Sequence, residues 1–197
     1  MPSAKIGEGG MFLKANSSLV GPSEGIAVRF PDRRSDHEAE LVMVIGKTGS
    51  DIPRALALDY VACYCLGLDM TVRAREDRSF RKSVDGYAVA GPWMATAEKI
   101  ANPDALPLML EVNGERRQDS NTNMLIYDCQ RLIEFASSFY TLYPGDLIYT
   151  GTLEGVGPMK PVDTLVCRSS PALGELRIPV RTHDTSGAQE PHAVVQA

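Results

Sequence analysis

No apolar run in this chain approaches the roughly 18 residues that a membrane-spanning helix requires. The opening MPSAKIGEGG lacks the apolar stretch of a secretory signal. A cytoplasmic protein with no membrane contact is therefore the default reading. A basic surplus is missing as well: the net charge is −5 at pH 7 over 197 residues, which argues against nucleic acid as a partner. Cysteine is scarce. The four present, Cys63, Cys65, Cys129 and Cys167, contain no C-x-x-C and make no zinc knuckle. Without a secretory signal they are expected to be buried free thiols. Of the three histidines, His183 and His192 fall in the polar C-terminal stretch and suggest no chemistry.

What is present suits one soluble domain: 44% hydrophobic and 23% charged residues, with short apolar runs broken by Gly and Pro. Residues 1–11 read as a flexible lead, 12–181 as the folded domain and 182–197 as a disordered tail. MFLKANSSLVG reads as a short strand before a turn. HEAELVMVIGK reads as a strand, its first part open to a pocket and its second part in the core. The segment DIPRALALDYVACYCLGL predicts a helix, with Asp51 as N-cap, Pro53 just inside and Gly67 ending it. LPLMLEVNGERRQ predicts a strand entering a hairpin turn at Asn113-Gly114. A second helix is expected over Asp128 to Tyr140, on an apolar face of Leu132, Ile133, Phe135, Ala136 and Phe139. DLIYTGT and a closing hairpin in DTLVCRSSPALGELRIPV complete a mostly β, α+β fold: a mixed or largely antiparallel roll or barrel with flanking helices.

Glu38 and Glu40 open the HEAELVMVIGK strand two residues apart, so both carboxylates project from one face. Two like charges beside a dry core need a positive partner, and a hard divalent cation suits oxygen ligands. Taken alone, the pair reads more readily as two solvated glutamates on a strand edge. Asp69 stands where apolar elements meet, and alone it reads equally as a turn residue ending a helix. With the two glutamates it would supply a third oxygen ligand of an octahedral site. TGTLEGVG, residues 150–157, has glycines that admit close backbone approach and threonines that can hold an anion, or it is a plain Gly-rich turn. The run RAREDRSFRK from Arg73 to Lys82 can be a solvated face. From the residues alone the reading stops at a metal site with an anion-binding loop.

In order along the chain, FLKANSSLVG, HEAELVMVIGK, GLDMTVRARE, KSVDGYAVAGPW, LEVNGERRQDSNTNMLI, LYPGDLIYTGTLEGVG and LGELRIPV resemble the catalytic domain of the fumarylacetoacetate hydrolase family. The resemblance covers roughly Phe12 to Val180. It implies a β-rich fold in which Glu38, Glu40 and Asp69 bind Mg²⁺, or else Mn²⁺ or Ca²⁺. It implies a 2-oxo acid substrate chelating that metal, Lys82 as the catalytic lysine, and Arg73 and Thr152 as substrate-binding residues. The expected reaction is hydrolysis of a C–C bond in a 2,4-dioxo acid of the acylpyruvate or fumarylacetoacetate kind, as in aromatic catabolism. The alternative is an isomerase, tautomerase or decarboxylase passing through the same enolate. A homodimer is also implied.

The sequence departs from the family pattern in several places. The family carries, upstream of FLK, a segment N-Y-x-x-H-x-x-E whose His and Glu activate water. No such motif precedes Phe12 here, so a truncated relative without turnover is a third expectation. His37 neighbours Glu38 on the strand and should point to the opposite face. Glu76 stands where Gln is frequent, Val89 and Leu153 where Pro is, and Val162 where Gly commonly precedes the aspartate.

Overall fold

A computed structural model describes residues 10–183. The expectations for residues 1–9 and 184–197, His192 included, lie outside the described residues. In chain order the strands are β1 (Leu19–Val20), β2 (Ile26–Val28), β3 (Ser35–His37), β4 (Ala39–Ile45), β5 (Val61–Asp69), β6 (Thr71–Val72) and β7 (Ala88–Ala90). They continue with β8 (Ala95–Thr96), β9 (Pro107–Val112), β10 (Glu115–Asn121), β11 (Leu147–Tyr149), β12 (Gly157–Met159), β13 (Thr164–Arg168) and β14 (Glu175–Thr182). Two α-helices among the described residues join them, α1 (Arg78–Lys82) and α2 (Cys129–Ser137), with several 3-10 turns. Among the described residues, no helix is long and apolar enough to cross a membrane.

One sheet runs β1-β7-β5-β4-β11, with β8 also on β5. A second runs β10-β9-β13-β14-β2, and a small third runs β12-β3-β6. Among the described residues, only β1–β7 and β14–β2 pair in parallel. The expected mostly β, largely antiparallel fold is what forms, and one apolar cluster joins the two larger sheets through Leu41, Met43, Leu66, Leu110, Leu165 and Ile178.

The Asn113-Gly114 hairpin is as expected. Both residues have positive φ (52° and 81°), the type I′ geometry that matches strand twist. Helix α2 also forms where expected. Asp128 caps it, its side chain accepting from Arg131 N at 2.8 Å, and Leu132, Ile133 and Ala136 are buried. It stops at Ser137, so Phe139 lies beyond its end and is exposed.

The helix predicted over 51–68 does not form. Residues Arg54–Tyr60 make a 3-10 helix and Val61–Asp69 the strand β5. Asp51 sits at φ 48° and caps nothing, and Pro53 occupies the N-cap of the 3-10 turn. The reason is tertiary. β5 is central, with β4 on one side and β7 and β8 on the other, and from Tyr64 onward it is buried on both faces. A continuous apolar run of this sort carries no period that separates strand from helix. Gly67 is therefore a close-packed strand position: a Cβ there would come within 2.4 Å of Val42 Cγ2 and 2.8 Å of Tyr149 Cε1. Similarly, the FLK segment is mostly irregular, with only Leu19–Val20 in a strand.

Candidate metal centre

The antiparallel pairing of β4 with β5 assembles the acidic cluster. Ala39 faces Leu68 and Glu40 faces Gly67, and Asp69 N donates to Glu38 O at 2.9 Å just before β4 begins. Glu38 and Asp69 are thus neighbours across the ladder, and Glu40 shares their face two residues on. Ligand atoms of all three lie within 4.8 Å of one another. Glu38, Glu40 and Asp69 are all buried, so the first part of the strand is not open in the way its sequence suggested.

Two lysines answer these carboxylates. Lys82, at the end of α1 and buried, donates from Nζ to Glu38 Oε2 at 2.7 Å and to Asp69 Oδ2 at 2.6 Å. Burial works against its ammonium, but Asp69 and Glu38 outweigh burial and raise its pKa above the ordinary lysine value. Lys14 bonds the other oxygen of Asp69 and donates to Tyr87 O at 3.0 Å. Burial dominates there, and Asp69 offsets it only in part, so the Lys14 pKa is lowered. Glu40 accepts from Gly151 N at 2.7 Å. Burial first, then the nearby charge of Asp69, lifts its carboxyl well above the usual range. Two ammonium groups thus face the three carboxylates, and the Arg73 guanidinium stands at the edge of the cluster.

The remaining site residues border this cluster. Arg73 donates from Nε to Asp36 Oδ2 at 2.7 Å, and its Nη2 lies 3.6 Å from Glu38 Oε1. Asp36 is buried beneath Arg73 and Arg34. Burial opposes its charge, and the two guanidiniums more than compensate, holding its pKa below the ordinary value. The Thr152 hydroxyl donates to Ala39 O at 2.9 Å and accepts from Gln118 Nε2 at 2.9 Å. His37 joins none of the acidic cluster; its Nδ1 lies 3.3 Å from Gln118 Oε1. Neither Lys14 nor Gln118 was singled out from the sequence. Gln118 is a buried hub: it also accepts from Ala39 N at 3.0 Å and donates to Leu153 O at 3.1 Å, tying the TGT loop to the start of β4. Among the thiols, Cys65, Cys129 and Cys167 are buried and all four are free. Burial pushes Cys65 up to about 11 and Cys167 to about 12, in line with an inert packing role.

Fold and site together define a β-rich scaffold presenting a buried carboxylate triad with lysine and arginine around it. The family model described as "Fumarylacetoacetate (FAA) hydrolase C-terminal" matches residues 2–181, and the chain belongs to that family. It is 53% identical over 177 residues to the maleylpyruvate hydrolase of Aquipseudomonas alcaligenes, covering 90% of this chain and 61% of that protein. Among solved structures, the maleylpyruvate hydrolase of Sphingobium sp. SYK-6, in complex with manganese(II) and pyruvate, matches with a TM-score of 0.83. The identity is 39%, over 88% of this chain and 64% of that one. The 5-carboxymethyl-2-hydroxymuconate delta-isomerase of Mycobacterium smegmatis matches with a TM-score of 0.80 and 36% identity, over 88% and 69% of the two chains. The chain thus spans less than two thirds of the length of the first two relatives.

Proposed function

We propose that this chain is the catalytic part of a divalent-metal hydrolase that cleaves a C–C bond in a 2,4-dioxo acid of the acylpyruvate class. The observation that carries the reading is the buried triad Glu38, Glu40 and Asp69 with Lys82 bridging two of its members. The donor set fits a hard cation: oxygens only, within one small sphere. Mn²⁺ is the ion bound by the Sphingobium relative, and Mg²⁺ suits the same ligands.

Once bound, the cation would polarise the 2-oxo acid end of the substrate as a Lewis acid. The chain's own groups supply the rest. Lys82, kept charged by Glu38 and Asp69, is a fixed cation aimed at the oxygen on which negative charge develops. Arg73 and the Thr152 loop border the position of the substrate carboxylate. In the reaction, the oxygen of water bonds to C4 and the C3–C4 bond breaks. Its electron pair passes to C3 as the enolate of pyruvate, and a proton at C3 completes pyruvate while the acyl fragment leaves as a carboxylic acid.

Titration with Mn²⁺ and Mg²⁺ by calorimetry, with and without oxalate as a mimic of the pyruvate enolate, tests the reading. Metal binding that oxalate strengthens, and that Glu40→Ala abolishes, supports it. A metal isotherm unchanged in Glu40→Ala removes it. The isomerase among the relatives supports a second reading in which the same enolate is reprotonated without cleavage. Only hydrolysis yields two fragments, the carboxylic acid formed at C4 carrying one ¹⁸O from labelled water.

A further inference from the structure

Strand β11 runs beside β4 only as far as Tyr149, opposite Val42. Past that point the chain leaves the sheet as the TGT loop, and Thr150 N still donates to Leu41 O at 3.1 Å. The next edge position of β4 is Ala39, between Glu38 and Glu40, and side chains meet its backbone there. Gln118 Oε1 accepts from Ala39 N at 3.0 Å, and the Thr152 hydroxyl donates to Ala39 O at 2.9 Å. Gln118 Nε2 in turn donates to Thr152 Oγ1 at 2.9 Å and to Leu153 O at 3.1 Å. A primary amide offers the donor and acceptor of a peptide group, so Gln118 stands in for the strand that β11 no longer supplies.

A bulge puts Gln118 in place. The register of β10 against β9 shifts between Arg116 and Gln118, and a bulge re-aims the side chains beside it. Arg116 and Arg117 are exposed, whereas Gln118 is buried. The loop is pressed onto the same bulge: at Gly155, φ 91°, a Cβ would come within 2.0 Å of Arg117 O. His37 fixes which way the amide faces. Its Nδ1 lies 3.3 Å from Gln118 Oε1, an oxygen that only accepts, so Nδ1 carries the proton. Both ends of the amide are then fully engaged, and a flip would forfeit all four contacts. The single proton of the Thr152 hydroxyl is likewise committed to Ala39 O.

The two sides of this strut are not equally braced. Asp69 N donates to Glu38 O at 2.9 Å, Glu40 is paired opposite Gly67, and Gly151 N holds Glu40 Oε2 at 2.7 Å. Among the described residues, the hydrogen bonds of Thr152 and Leu153 all go to Gln118 and Ala39. We infer that Gln118 is a positioning residue, holding the Thr152 loop at a fixed distance from the carboxylate triad so that one acid group can meet loop and cation together. The inference rests on the hydrolase reading above and adds to it the residue that joins the two halves of the site.

Calorimetry of Mn²⁺ alone, and of oxalate on the Mn²⁺-loaded chain, tests it in Gln118→Met, Thr152→Val and the double variant. Gln118→Met should keep the affinity for Mn²⁺ alone within about three-fold and weaken oxalate roughly ten-fold, the scale of one hydrogen bond. Thr152→Val should lose as much, the double variant no more than either single change, and Thr152→Ser should bind oxalate as wild type does. Unchanged oxalate affinity in Gln118→Met, losses that add in the double variant, or an equal loss for Mn²⁺ alone overturns the inference. Should Gln118→Met not fold, Gln118→Glu replaces it, keeping an acceptor for Ala39 N and lacking the two amide donors. An unfolded Gln118→Glu would make Gln118 a residue of general folding and overturn the inference as well. If the wild-type chain binds neither Mn²⁺ nor oxalate, the hydrolase reading fails separately. Hydrogen exchange in the metal-free chain then decides the strut: faster exchange confined to residues 150–155 in the Gln118 variant upholds it, and unchanged exchange there refutes it.

Discussion

Among the described residues, one network of opposed charge lies at the junction of β4 and β5 and another across β9, β13 and β14. In the second, Arg168 donates to Glu175 Oε2 at 2.7 Å and to Glu111 Oε2 at 2.9 Å, with Arg177 on the other oxygen of Glu175. Distances there match those around Lys82, and only the surroundings differ. Arg168 keeps 34% of its side-chain exposure and Lys82 only 9%. Charge in the first network has been removed from water and must be answered from within the protein, whereas in the second water still screens it. Energetic weight should therefore collect at the β4–β5 junction although both networks look alike on paper.

The sharpest way to break the comparison is Lys82→Met. It leaves Glu38 and Asp69 buried with their shared ammonium gone, and breaking a buried pair costs about 3–5 kcal/mol. Unfolding in urea without metal should register that loss, and turnover should fall roughly 10²–10³-fold with the fixed cation removed. A chain of ordinary stability and activity would mean that the buried network is as slack as the exposed one.

Next is Glu40→Gln, whose effect is one of sign. The folded-state pKa of Glu40 is raised, so between its unfolded value and its folded value the native state holds a proton that the unfolded chain releases. Stability without metal should thus fall as pH rises above the ordinary glutamate value of 4.5. Glu40→Gln should flatten that slope in the presence of a chelator. Metal affinity of the wild type should run the opposite way, strengthening with pH as the proton is displaced. Melting temperatures of both proteins from pH 4.5 to 8, with chelator and with Mn²⁺, separate the two trends. Parallel profiles would assign the slope to other groups.

These effects bear on what could be read from the sequence. The glutamates were legible because a period of two is enough to place both on one face once the segment is a strand. Asp69 was grouped with the two glutamates it lies beside but with the wrong local structure, since the doubly buried β5 lacks the alternation that marks a strand. Lys14 was invisible for another reason. It reaches Asp69 across 55 positions from an irregular segment, and nothing local distinguishes it from a surface lysine. Gln118 likewise acts at a separation of 34 from Thr152, inside a strand whose other residues are mostly exposed. Long-range polar contacts of this kind have no periodic signature. Val162, in contrast, stood out in the sequence as a departure, and the structure gives it φ 74°.

That position belongs to neither network and supplies a smaller, independent effect. Val162 is almost fully exposed at the turn closed by Asp163 N to Lys160 O at 3.1 Å, and a β-branched residue is strained in the left-handed region. Val162→Gly should stabilise by about 1 kcal/mol, the strain relieved less the extra entropy of glycine, read as a higher urea midpoint. A lower midpoint would mean that the valine backbone is at ease there.

The smallest effect belongs to the exposed network and completes the contrast with Lys82. Arg168→Gln removes a guanidinium that two carboxylates share, and Glu111 and Glu175 are then free to take up water. The three side chains lie on adjacent strands, Glu111 on β9, Arg168 on β13 and Glu175 on β14, so the lost term is a cross-strand ion pair of the exposed kind. That is about 0.2–1 kcal/mol at low salt and less at high salt. Melting curves at low and high ionic strength should show a difference from wild type that shrinks as salt is added, with metal binding unaffected. A loss as large as that of Lys82→Met, or one that salt leaves untouched, would show that burial is not what separates the two networks.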